Sequence, residues 1–360
     1  MQSGSSTISD VAREAGVSVS TISNVLNGRT DRMRADTLQR VQSTISALDF
    51  RPSRAAQQLK TGQTPMLGLL VPSIANPMYG FIAREIETVA QERHGHRVLL
   101  GNTYRNKDKE IGFFDDLLAH GVRGVIVISS LADEAHFDAA VQRGMVMVSY
   151  DRRATPGAAS AIDHVSVDNF EAGRLAAAHL IAHGHRRLAF VTAAGQTTSR
   201  SEKMRGVHAA AEAAGLSIRP AVIEGSAQSK YGDSEMADVG RQIAARIAAL
   251  RPRPTGLVAV NDLLAFGLLA GLREAGVDVP GEVSVIGMDG LFLAALTCPA
   301  LTTVQLPVPE MAQTIVDRVI GRLAQSGRPG TAELVPAEFL FAPRLVERLS
   351  VAPPPKRMAR

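Results

Sequence analysis

The chain holds one cysteine, Cys298. One thiol closes no internal disulfide and builds no multi-cysteine metal site, which fits a reducing compartment, and its expected place is a small buried apolar position. Long apolar runs are missing as well. Nothing approaches the roughly 18 residues that span a bilayer, and Met1–Ser9 is polar, so neither a membrane helix nor a signal peptide is expected and the expected location is the cytoplasm. There is no Gly-x-x-x-x-Gly-Lys-Ser/Thr phosphate cradle and no Gly-x-Ser-x-Gly elbow, so the chain reads as a non-enzyme without a cofactor. His94-Gly95-His96 and His183-Gly184-His185 have no carboxylate or cysteine support for a metal, and each reads as a helix closed by its glycine. From Val351 onward three consecutive prolines and no heptad pattern rule out a terminal coiled coil.

What is present is ordinary for a globular protein of two or three domains: 45% hydrophobic and 21% charged residues, far from the composition of disorder. The net charge of +4 is unevenly placed. Met1 to Gly62 carries eight Arg or Lys against five Asp or Glu, and the tail adds Lys356, Arg357 and Arg360. A basic end on a near-neutral body implies that this end meets a polyanion.

That end is patterned as short helices. Thr7 and Asp10 form a capping box at the start of a first helix with Val11, Ala12 and Ala15 on one face, and Gly16 ends it. Ser18 caps a second helix through Leu26. Two short helices at a glycine turn are the form of a helix-turn-helix, or of a plain helical hairpin. Ile22, Val25 and Leu26 face the core, while Val19, Ser20, Ser23 and Asn24 offer small hydroxyl and amide groups suited to base edges and phosphates. A third helix, about Ala35 to Leu48, closes the core with Leu38, Val41, Ile45 and Leu48. Residues 51–62 read as a two-turn helix that orders on DNA, or as a linker.

After Pro65 apolar runs alternate with amphipathic stretches. Strands are predicted at Met66–Ile74, Arg97–Thr103, Gly124–Ser130, Met145–Tyr150, Leu188–Thr192, Val222–Glu224, Leu257–Val260 and Val283–Met288, with helices such as Tyr79–Arg93, Phe170–His183, Ser234–Leu250 and Leu263–Ala275 between them. The alternation implies α/β architecture: doubly wound parallel sheets in two successive lobes, with ligands bound at the carboxyl ends of the strands.

Thr7 to Gly28, TISDVAREAGVSVSTISNVLNG, closely resembles the amino-terminal signature of the LacI/GalR family of bacterial regulators. The likeness continues through PSRAAQQLK, LGLLVPSIANPMYGFIAREIE, SVDNFEAGRLAAAHLIAHGHRRLAFV, VNDLLAFGLLAGLREAGVDVPGEVSVIGMDG and LTTVQLPVPEMA. It implies an N-terminal three-helix helix-turn-helix domain (1–50), a hinge helix (51–62) and a two-lobed core like that of periplasmic binding proteins. The lobes are expected at 63–162 plus about 292–325 and at 163–291 plus about 326–350, with a flexible tail over 351–360. It places Val19, Ser20 and Asn24 against bases, Leu59 as the leucine wedged into the minor groove, and Thr7, Ser18, Thr21, Ser23, Asn27, Arg34, Arg54 and Ala56 in the rest of the DNA-contacting set. An amide at Asn24, where arginine is frequent in the family, suits adenine better than guanine. For the effector the resemblance implies Asn76, Tyr79, Asp151, Arg152, Lys203, Asn261 and Asp289. Lys203 stands where the family usually has an effector-binding arginine, Ala227 where some members carry a stacking ring, and Gly290 where a second polar residue is common.

The expected function is a sequence-specific transcriptional regulator, a repressor acting as a homodimer on double-stranded, pseudo-palindromic operator DNA. Its expected effector is sugar-like or nucleobase-like and binds between the lobes; no metal is expected. The alternatives are a regulator that needs no effector and a solute-binding sensor.

Overall fold

The computed structural model describes residues 6–26, 29–30, 33–50, 65–129, 135–151, 162–195, 197–226, 235–325 and 335–355. The chain forms two compact units, Met1–Thr64 and Pro65–Arg360.

The first unit contains α1 (Ile8–Ala15), α2 (Val19–Leu26) and α3 (Ala35–Ala47). Both halves of the Thr7/Asp10 capping box are made, and Gly16 closes α1 in the left-handed conformation at φ 61°. Ser18 Oγ accepts the Thr21 amide at 3.2 Å and so starts α2. Val11, Ala12, Ala15, Ile22, Val41 and Phe50 form the core, flanked by Val25, Leu26, Ile45 and Leu48. Phe50 supplies the closing contact that the periodicity assigns to Leu38, which is half-buried and outside this cluster.

The second unit has two six-stranded sheets. The first, in the order β2-β1-β3-β4-β5-β11, contains β1 (Met66–Val71), β2 (Arg97–Asn102), β3 (Gly124–Ile128), β4 (Val146–Tyr150), β5 (Asp163–Val167) and β11 (Glu338–Phe341), all parallel. The second, β7-β6-β8-β9-β10-β12, contains β6 (Leu188–Ala193), β7 (Ala221–Gly225), β8 (Gly256–Ala259), β9 (Ser284–Asp289) and β10 (Thr302–Gln305) in parallel, with β12 (Arg344–Val346) antiparallel at its edge. Central strands such as β3, β6 and β9 are buried along their whole length, because helices cover both faces. The helices of this unit include α4 (Pro77–His94), α5 (Lys107–Ala119), α6 (Ala135–Gln142), α7 (Asn169–Ala182), α8 (Thr198–Ala213), α9 (Met236–Ala249), α10 (Asp262–Glu274) and α11 (Val308–Gln325).

The lobe boundaries differ from expectation in three places. Residues 163–167 pair with β4 in the first sheet, residues 302–305 pair with β9 in the second, and residues 338–341 return to the first beside β5. The chain therefore passes between the sheets three times, at Asp168, between β10 and α11, and between β11 and β12. Strands of three to five residues with polar positions carry too little apolar periodicity to reveal these crossings. The tail also differs: the Ser350 carbonyl accepts the Val285 amide at 3.0 Å, Ala352 N donates to Ser284 Oγ at 3.1 Å, and Val351 packs on the second core. Residues 356–360 lie outside the described part. Cys298 is exposed rather than buried.

His185 joins this tail to the lobe. Its Nε2 is 3.0 Å from the Ala352 carbonyl and its Nδ1 3.0 Å from Thr255 Oγ1, so the neutral ring donates at Nε2 and accepts at Nδ1. Burial lowers its pKa to about 4. Between pH 6.5 and 4 the unfolded chain binds a proton that the fold refuses, so this group costs stability as pH falls through that window, by about 2 kcal/mol. Asp262 and Asp289, whose carboxyls burial raises, act in the opposite sense, losing stability as pH rises. The difference between proteins isolates the histidine. His185→Gln is expected to lose less stability than the parent between pH 7.5 and pH 4.5 in urea unfolding; equal losses would show that the imidazole is not the source.

Candidate functional site

The first site is a helix face. Ser18, Ser20 and Asn24 are exposed, Val19 is 44% exposed, and Thr21 and Ser23 are half-buried along the same helix. Ile22 is fully buried, so the apolar side of α2 is anchored in the core and the opposite side is presented to solvent. Ser18 Oγ lies 2.8 Å from Ser20 Oγ and 2.9 Å from Thr21 Oγ1, a hydroxyl cluster at the helix amino terminus, where backbone N–H groups and the helix dipole favour phosphate. Thr7 is exposed at the start of α1, and Arg34 is exposed just before α3 without a side-chain cap. Asn27, Arg54, Ala56 and Leu59, with the whole 51–62 segment, lie outside the described residues.

The second site is a cleft of roughly 590 Å³, open mouth included, between the two sheets of the second unit. Asn76, Tyr79, Asp151, Lys203, Asn261 and Asp289 all line it, whereas Arg152 and Ala227 lie outside the described residues. Each of these six sits at or just beyond the carboxyl end of a parallel strand, or on the helix that follows. Asn76 Oδ1 accepts the Met78 amide at 3.0 Å and Asn261 Oδ1 the Leu264 amide at 2.9 Å, so both cap helices while facing the cleft. Tyr79 is held by Arg105, whose Nη2 donates to its hydroxyl at 2.9 Å. Asp151 Oδ1 accepts from Asn169 Nδ2 at 2.8 Å, joining the end of β4 to the start of α7 across the first crossing. Lys203 Nζ donates to the Val260 carbonyl at 3.1 Å.

Several lining residues carry no signal in the periodicity: Arg105, Tyr150, Asn169 and Arg200. Arg200 precedes Lys203 by three residues, which on a helix puts both on one face, and that spacing was the available clue. Arg105, Asp151 and Asp289 adopt positive φ (54°, 63° and 143°), a conformation that side-chain-bearing residues keep only where the surroundings hold it and that is concentrated at binding sites. Burial pushes the Asp289 carboxyl well above the usual carboxylate range, Lys203 partly opposing it, and raises Asp262 behind it to about 6. Tyr150 is raised well above 10 by burial and by Asp151 and Asp289, so its hydroxyl stays protonated. Gly290 has a backbone reason: φ is 77° and an added Cβ would come within 2.7 Å of the Gln305 Cα. No side chain fits there.

Comparison with known proteins finds matches to both units. Residues 7–53 match the model of bacterial regulatory proteins of the lacI family, and residues 177–351 match a periplasmic binding protein-like domain. The HTH-type transcriptional regulator DegA of Bacillus subtilis is 32% identical over 352 residues, covering 96% of this chain and 98% of the relative. The lac repressor dimer bound to operator and the anti-inducer ONPF superposes with a TM-score of 0.82 at 25% identity over 97% of this chain and all of that one. A LacI family regulator from Enterococcus faecium with bound ribose gives 0.68 at 26% identity over 80% of this chain and 99% of its own. These relatives are regulators, not enzymes, and no helix among the described residues is long and apolar enough to cross a membrane. A helix-turn-helix unit and a two-sheet, periplasmic binding protein-like core on one chain, with a full-length relative 32% identical, show that the chain belongs to the LacI family of bacterial regulatory proteins.

Proposed function

We propose that the chain is a cytoplasmic transcriptional repressor that binds a pseudo-palindromic operator as a homodimer and is controlled by a small polar molecule in the interlobe cleft. The observation that carries this reading is the exposed face of α2, where Val19, Ser20 and Asn24 project opposite a fully buried Ile22. One such helix reads only a short half-site, so two copies are needed for a useful operator. Support for a homodimer and for a sugar effector comes from relatives: the lac repressor structure is a dimer on operator, and the E. faecium regulator holds ribose.

Three chain crossings join the lobes, so a ligand that prefers one closure biases the whole core. Coupling of this kind is typically 1–3 kcal/mol, enough for several-fold to hundred-fold control of DNA affinity. Leu59, proposed as the minor-groove wedge, and Arg152 complete the reading by resemblance alone. Selection of genomic fragments at near-physiological salt is expected to recover a short palindrome. Asn24→Ala is then expected to weaken binding to that operator by about 1–3 kcal/mol and to relax base preference at one position of each half-site. Uniform, salt-sensitive recovery of all fragments would leave only non-specific phosphate binding and overturn the reading.

A further inference from the structure

Two features of the cleft bear on what it holds. Five helices begin at it: Asn76, Thr197 and Asn261 cap α4, α8 and α10, while Asn169 and Met236 open α7 and α9. Helix amino termini carry partial positive charge, and converging ones favour an anion. Lys203 and Arg200 add full charges from one face of α8, each only 8% exposed, and Arg105 faces them from the first lobe. The described hydrogen bond of the Lys203 ammonium goes to a neutral carbonyl, and the carboxyl it acts on is that of Asp289. Against these cations stand Asp151, already accepting from Asn169, and Asp289, whose carboxyl burial favours in the protonated form. Among the described lining residues three cationic side chains, Arg105, Arg200 and Lys203, stand against two carboxyls.

Polar atoms that await a partner lie beside these charges. The Tyr150 hydroxyl and Asn169 Oδ1, on residues 3% and 6% exposed, have no hydrogen-bond partner among the described residues, and both residues line the cleft. A buried donor or acceptor left unpaired is costly, so a ligand hydroxyl that meets these atoms recovers that cost.

We infer that the effector is a hydroxylated anion, a polyol bearing a carboxylate or phosphate, with its charged group held by Lys203 and Arg200 and its hydroxyls met by Tyr150 and Asn169. The inference rests on the effector reading above and narrows it from neutral sugars to acidic ones. Carboxylate and phosphate share the chemistry used here, and the experiment separates them.

Purified full-length protein is titrated by calorimetry at constant ionic strength with D-gluconate, D-ribose 5-phosphate, D-glucose and D-ribose, and retention on the selected operator is measured with each. At least one acid is expected to bind at least tenfold more tightly than its neutral counterpart and to change operator retention. Lys203→Met and Arg200→Gln are expected to lower that affinity tenfold or more, with Lys203→Arg restoring most of it. Tyr150→Phe, which keeps the ring and the charge balance, is expected to lower affinity for the acid several-fold while keeping the preference over the neutral sugar. A neutral sugar that binds as tightly and changes retention would overturn the anion inference and leave the effector reading standing. Acid binding untouched by Lys203→Met and Arg200→Gln would also overturn the inference, because the charge would then be held elsewhere. Failure of all four compounds to bind or to alter retention would count against both.

Discussion

Replacing Gly206 with alanine is expected to destabilise the second lobe by more than about 4 kcal/mol, a loss large enough to leave much of the protein unfolded at growth temperature. The reason is backbone against backbone. An added Cβ on Gly206 in α8 would lie 1.9 Å from the Phe170 carbonyl oxygen of α7, and one on Gly173 would lie 1.9 Å from the Lys203 carbonyl oxygen. The two helices cross at reciprocal glycines, and no rotamer change relieves an overlap with a main-chain oxygen. The same contact positions Lys203 at the cleft, so relaxation by helix separation would move the ammonium away from Val260. Gly112→Ala in α5 is the control, since its Cβ meets nothing within 4 Å. There the helix-interior substitution is expected to add about 0.5–1 kcal/mol. Thermal unfolding of both variants decides the matter: similar small shifts would show that the α7–α8 crossing opens at little cost.

Asp163→Ala is expected to cost about 3–5 kcal/mol, because it removes a fully buried carboxylate on which half-buried Arg318 and Arg322 and a backbone amide converge. The Asp163 carboxylate is fully buried at the start of β5. It accepts from Arg318 Nε at 3.2 Å and Nη2 at 2.8 Å and from the Ala337 amide at 2.7 Å, with Arg322 Nη1 3.5 Å away. Those contacts tie β5 and α11 to the residues just before β11, the strand that precedes the last crossing between lobes. Hydrogen exchange should therefore rise first at Glu338–Phe341 in the variant, ahead of global unfolding. Unchanged protection of that strand, with stability within about 0.5 kcal/mol of the parent, would show that the cluster contributes nothing net.

Much of the architecture was readable because it rests on local rules. The α1 cap, the Gly16 turn and the alternation of strand and helix after Pro65 depend on residues within one or two turns of each other, and the structure places those elements within two or three residues of the expected bounds. Short strands were less legible. Residues 163–167, 302–305, 338–341 and 344–346 are held as much by their neighbours in the sheet as by their own pattern, which is why the lobe boundaries shifted.

The site divides along the same line. By itself the sequence determined that α2 has a buried face and an exposed polar one, since a 3.6-residue period separates them whatever lies beyond. Likewise, the tops of parallel strands had to carry the residues that line the cleft, because helices occupy both faces of such a sheet. Tertiary structure alone decided that Tyr150, Asn169, Arg105 and Arg200 join the residues expected from the resemblance, because they come from four separate elements brought together only when the lobes face one another. It also decided which charges matter. Burial, not residue type, makes Asp289 a weak acid and leaves Lys203 facing a carbonyl, and burial is a property of the packed chain.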